Sequence, residues 1–175
     1  DFYTSNIRRS GNGYQFHISY KGKTEDYKTK LFGTSNIYNL TAAISMSKLL
    51  GVGQKTIQRG LDKIKPSAHR LELKAYGKSI LIDNAFSSNE EGFKAILKDL
   101  AQEKGKKVII TPGIVELGDQ SSEVHKEIGK RISEVFEEVV LIGEGQRVND
   151  IESGIPKETK IKVRHLSNNA NLWPE

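Results

Sequence analysis

Cysteine is absent from the 175 residues, which excludes a disulfide framework and thiol chemistry and fits a cytoplasmic protein. No apolar run approaches the roughly 18 residues of a membrane span. The N-terminal DFYTSNIRRSG also lacks the apolar stretch of a signal peptide. Zinc-ligand spacing, a GxSxG elbow and HExxH are all missing, and the four histidines are scattered. The hydrophobic fraction, 36%, is modest but sufficient for a core, and the length allows one domain or one domain plus part of another.

Charge is unevenly placed. Residues 1–65 carry 11 Lys/Arg against 4 Asp/Glu, and residues 66–175 carry 16 against 18, so a basic first part (+7) precedes a slightly acidic second part (−2). A basic surface suits an anion such as a nucleotide or a phosphorylated substrate, and equally suits plain solvation. The few aromatics of the first part, Tyr14, Phe16 and Tyr20, are more economically core residues than a nucleic-acid platform. The chain opens on Asp1 in mid-pattern and reads as a fragment.

Two grammars follow one another. In residues 3–31, Tyr14, Phe16, Ile18 and Tyr20 alternate with polar residues, the period of a half-buried strand, with turns at Ser10–Gly13 and Tyr20–Lys23. Helices are expected at Asn36–Leu50, with Ile37, Leu40, Ala43, Ile44 and Leu50 inward, and at Gln54–Ile64, with a boundary at Pro66. From Arg70 onward strands are expected at Leu71–Ala75, Ser79–Asp83, Lys107–Thr111, Glu138–Ile142 and Lys160–Val163. Helices are expected there at Glu90–Lys104 and Ser121–Val135. That spacing predicts an α/β fold with a mostly parallel, Rossmann-like sheet.

The strand-to-loop stretch Ile109–Gly129 presents Glu116, Gly118 and His125 where an open α/β sheet meets its ligand, at the C-terminal end of a strand. Equally, His125 packs within its helix and Glu116 is merely solvated. Asp83-Asn84 ends a second apolar strand, Ile80-Leu81-Ile82, where a carboxylate accepts a ribose hydroxyl, orients a metal-bound water, or caps the next helix. Asn89 is the better cap for that helix. Asn36 and Asn39 share a helix face and offer two amides to a purine edge, or serve as a cap and a surface residue. The planar fork of Arg70 suits polyphosphate oxygens, although an exposed arginine needs no ligand. Gly51-Val-Gly-Gln-Lys-Thr56 imitates a phosphate loop, but Gln54 intervenes before the lysine and the segment follows a helix, so it reads as a helix-to-helix turn.

Together these segments, from about Leu31 to Gly143, resemble the Mur ligase family of ATP-dependent amino-acid and peptide ligases. GTSNIYNLTAA resembles that family's GxHNxxNxxAA, and HRLE its GRxE-type segment. IDNAFSSNEEGFKAIL resembles DDAYNANPxSxxAAL, and PGIVELGDQSSEVHKEIG resembles GxMxELGxxSxxxHxxxG. The last two patterns are the specific ones. The spacing from ELG to the histidine most resembles the subgroup that joins D-alanyl-D-alanine to a UDP-muramoyl tripeptide.

The resemblance implies a remnant of the central ATPase domain over residues 1–66 and the Rossmann-like closing domain over 67–175. It implies that Asn36 and Asn39 approach adenine, that Arg70 and Asp83 are catalytic, and that Asn84 joins them at the nucleotide. Asn89, Glu116, Gly118 and His125 then fall on the substrate side. ATP and Mg2+ are the implied cofactors, with the magnesium ligands mainly in the central domain beyond this segment. No metal site is expected within it. A UDP-muramoyl peptide and an amino acid or D-Ala-D-Ala are the implied partners of a monomer with no nucleic acid and no membrane span. Related ligases of folylpolyglutamate or pseudomurein type, and a nucleotide-binding module without chemistry, are the alternatives. Ser35, Asn84, Phe86 and Glu90 depart from the family's His, second Asp, Tyr and Pro.

Overall fold

The computed structural model describes residues 1–86 and 89–167. Its contacts divide the chain into two compact units, Asp1–Ser87 and Ser88–Glu175, whereas the change of composition falls at residue 66.

The first unit begins with an antiparallel sheet of β1 (Phe2–Ser10), β2 (Gly13–Tyr20) and β3 (Lys23–Thr29), in that spatial order. The alternation along β2 is realised as expected, with Tyr14, Phe16 and Ile18 all buried. Two helices follow, α1 (Thr34–Leu49) and α2 (Gln54–Leu61). Helix α1 buries Ile37, Leu40 and Ile44. Ala43 and Leu50 are exposed rather than inward, Leu50 because it lies past the last helical turn. Residues 50–53 form the turn between the helices, as the failed phosphate-loop pattern predicts.

A hairpin of β4 (Glu72–Tyr76) and β5 (Ser79–Asp83) closes this unit. These strands do not join the parallel sheet. Tyr76 pairs directly with Ser79, leaving two residues in the loop, and Gly77 takes φ +57° there. A parallel connection needs a dozen residues or more, so a loop this short forces antiparallel pairing.

The second unit is the expected α/β layer. Its strands β6 (Val108–Thr111), β7 (Glu138–Ile142) and β8 (Lys162–Leu166) run parallel in that order. They alternate with α3 (Glu90–Ala101), α4 (Ser121–Val135) and α5 (Gln146–Gly154). Val139 and Leu141 of β7 meet Phe93, Leu97, Ile128, Ile132 and Ile151 in one apolar cluster. Helix α5 is absent from the sequence expectation because only Val148 and Ile151 interrupt its polar run. No helix among the described residues is long and apolar enough to cross a membrane.

Candidate functional site

Within the first unit, the segment His69–Leu71 is folded against the end of β5. His69 and Leu71 take φ +58° and +52°, a left-handed backbone that non-glycine residues adopt at a cost of about 1–2 kcal/mol each. Three of its contacts tie it to residues 83–86. The Phe86 amide donates to His69 O (3.1 Å), and the Leu71 amide donates to Asn84 Oδ1 (3.2 Å). The third is the 2.9 Å contact between His69 Nδ1 and Asp83 Oδ2. Between the two strained residues stands Arg70, exposed, with its guanidinium carbon 4.3 Å from the centre of the Phe86 ring. Ring stacking orients a guanidinium while leaving its N–H edge free for an anion.

Asp83 is the hub. Lys74 Nζ donates to Oδ2 at 2.7 Å, His69 shares the same oxygen, and the Ala85 amide donates to Oδ1 at 3.2 Å. The Lys74 hydrogen bond, followed by that of His69, outweighs partial burial and holds this carboxyl below the ordinary aspartate value. An ionised carboxylate only accepts, so His69 carries its proton on Nδ1 and leaves Nε2 to solvent. The sequence placed Asp83 and Asn84 at a strand tip. The structure adds their contacts on either side of Arg70: Asp83 holds the His69 side chain, and Asn84 holds the Leu71 amide.

Asn36 and Asn39 lie on α1. Asn36 Nδ2 donates to Phe32 O at 2.7 Å, so one amide proton is already used, and Asn39 is exposed. Asn89 heads α3 in the second unit, where its Oδ1 accepts the Gly92 amide at 2.7 Å as the N-cap.

Glu116 and Gly118 lie between β6 and α4, and His125 of α4 reaches the start of that stretch at Ile114. His125 is fully buried; Nε2 accepts the Ile114 amide at 3.0 Å, which puts the ring proton on Nδ1 for Ser121 O at 2.6 Å. The ring therefore shapes the loop from within its helix. Gly113 is required beside it, since a Cβ there would stand 2.8 Å from Nε2 at φ +81°. Glu116 and Gly118 are exposed at φ +63° and +56°, so the loop turns its acidic residue outward on a constrained backbone.

Sequence reasoning missed His69, Lys74 and Phe86. Lys74 carries no signal of its own, whereas His69 lies in the HRLE segment and Phe86 stands at the family's Tyr position, each without a stated role. No group of three or more His, Cys, Asp or Glu side chains able to hold a metal occurs among the described residues.

No protein-family model matches the chain. Curated proteins do. The UDP-N-acetylmuramoyl-tripeptide--D-alanyl-D-alanine ligase of Escherichia coli (strain K12) is 26% identical over 157 residues, covering 89% of this chain and 35% of its own. The ligase of the same name from Borreliella burgdorferi is 30% identical over 135 residues, covering 75% and 28%. The homologues of this chain are Mur ligases. The chain spans about a third of the length of these curated relatives. The fold agrees: a MurF ligase from Thermotoga maritima, solved in complex with ADP, superposes with a TM-score of 0.81 at 17% identity. That superposition takes in 96% of this chain and 38% of the MurF chain. The Mur-ligase relatives thus match both units, and the parallel sheet of the second is consistent with the C-terminal domain of that family.

Proposed function

We propose that this chain forms the closing part of an ATP-dependent ligase that adds D-alanyl-D-alanine, or an amino acid, to a UDP-muramoyl peptide. The observation that carries this reading is the presentation of Arg70, whose exposed guanidinium stacks on Phe86 between two strained residues. Such a residue is preorganised for the charge that develops on a transferred phosphoryl group, and catalysis of this kind rests on positioning and charge stabilisation. Arg70 binds phosphate oxygens, and Asp83 with Asn84 keeps it in place. Carboxylate attack on the terminal phosphorus gives an acyl phosphate and ADP. The incoming amine then attacks the acyl carbon, phosphate leaves, and an amide bond and a proton result.

Asn36 and Asn39 supply amides for the adenine. Asn89, Glu116, Gly118 and His125 line or support the substrate side. The boundary between the central-domain remnant and the closing domain is read at residues 66/67. ATP and Mg2+ are the cofactors of this reading, and no step is routed through the metal. On this reading the protein works in the cytoplasm on soluble nucleotide-linked substrates, and it is read as a monomer.

The test is phosphate release by the full-length protein in the presence of ATP, a UDP-muramoyl tripeptide and D-alanyl-D-alanine. Release that needs all three, and falls about 10²-fold or more in Arg70→Ala, is expected. Release driven by a different acceptor would reassign the substrate, and no release with any acceptor would end the ligase reading.

A further inference from the structure

His69 stands where backbone geometry asks for glycine. At φ +58° an L side chain is strained, yet this imidazole is held in place, 55% exposed, by an aspartate whose other partners are a lysine and a backbone amide. Glycine would fill this position without steric strain, so what the imidazole contacts is the question.

The placement says what that contact is. His69 and Arg70 are both anchored on the short segment 83–86, His69 on its first residue and Arg70 on its last. Each spends one part of its side chain on the anchor and turns the rest to solvent. With Nδ1–H committed to Asp83, only Nε2 is available. A neutral ring offers a lone pair there, and a charged ring offers an N–H. The charged groups around it are Asp83 and Lys74 on the shared oxygen, Glu72 Oε2 at 3.4 Å from the His69 amide, and Arg70 next in sequence. A polyphosphate that engages the Arg70 fork brings acceptor oxygens beside the neighbouring imidazole, whose Nε2 donates to them when the ring carries both protons.

We propose that His69 is a further binding residue of this site, its Nε2 donating to a phosphate oxygen of the nucleoside polyphosphate that Arg70 engages. The inference rests on the ATP reading above and adds a residue to it. Asp83 is then a positioning residue for the ring as well as for the loop.

Glycine at this position separates the two uses of the side chain, because it removes the imidazole and relieves the backbone together. In the full-length protein, His69→Gly is expected to weaken ATP binding about tenfold, the worth of one hydrogen bond to a charged group. AMP affinity changes much less, and the thermal midpoint is not lowered. His69→Gln, whose amide N–H reaches toward the same point, recovers part of the loss. ATP affinity unchanged in His69→Gly, while Arg70→Ala still weakens it, overturns the role of His69 and leaves the ligase reading intact. A His69→Gly protein that binds ATP normally but melts earlier assigns the residue to the fold and overturns the proposal too. If the unaltered protein binds no ATP, both readings fall.

Discussion

The Ile114 amide donates to His125 Nε2 across 3.0 Å in the interior of the second unit, so a helix residue fixes the path of a loop eleven residues before it. Ser121 O accepts the ring's single N–H, on Nδ1, and no part of the ring is exposed. Replacing His125 by alanine leaves the Ile114 N–H unpaired and opens a cavity under the loop. The expected loss is about 2–4 kcal/mol of unfolding free energy, measured by urea denaturation. A loss below about 0.5 kcal/mol would mean the loop holds itself.

The close approach of α4 and α5 gives another test. A Cβ on Gly129 would lie 1.9 Å from Ile151 O, and one on Gly154 would lie 2.0 Å from Lys126 O, so each helix presses its glycine against the other's backbone. Neither atom is a flexible side-chain end that can move aside. Gly129→Ala is expected to cost about 3 kcal/mol or more, read as a lowered denaturation midpoint or loss of soluble protein. A near-normal midpoint would show that the helices can separate cheaply.

Much of this was legible in the chain. The apolar runs Val108–Thr111 and Glu138–Ile142, one helix apart, give the parallel pair because each buried strand writes its own hydrophobic signal. The residues at strand tips follow from the same reading. What was not legible depends on pairings distant in sequence. Tyr76-Gly77-Lys78-Ser79 is a hairpin turn only if its flanks are known to pair with each other, so by pattern alone β4 and β5 fall into the parallel sheet. His69 is silent in the sequence because its partner, Asp83, is fourteen residues away and its φ is a property of the folded loop. For His125 the residues alone left a ligand and a packing role open, and the structure shows that its ring nitrogens are both engaged inside the protein.

Asp83 carries a pH signature. Its carboxyl lies below its ordinary value of 3.8, chiefly through Lys74 and then His69. A depressed folded value means the ionised form stabilises the fold. That contribution is complete above the unfolded value and is lost as pH falls through the folded one. Asp83→Asn keeps an acceptor for the Ala85 amide but removes the charge, and is expected to cost about 1 kcal/mol at neutral pH after allowance for solvent screening. The gap between wild type and variant should close as pH drops below 3.8. Urea denaturation of both proteins across acidic pH tests this, and a gap independent of pH would remove the ion pair from the account.

Asn84 should act through Arg70 rather than beside it. Its Oδ1 accepts the Leu71 amide at 3.2 Å, on the residue that follows Arg70 and holds φ +52°. Without that acceptor the strained segment can relax, and the guanidinium no longer stays over Phe86. Asn84→Ala is therefore expected to weaken ATP binding by the full-length protein about fivefold, with a smaller effect on stability. In an Arg70→Ala background the same substitution should cost little more, because the group it positions is gone. Titration calorimetry on the two single variants and the double variant gives the coupling directly. Additive losses would make Asn84 an independent contact, and no loss in the single variant would show that the contacts of His69 hold the segment without it.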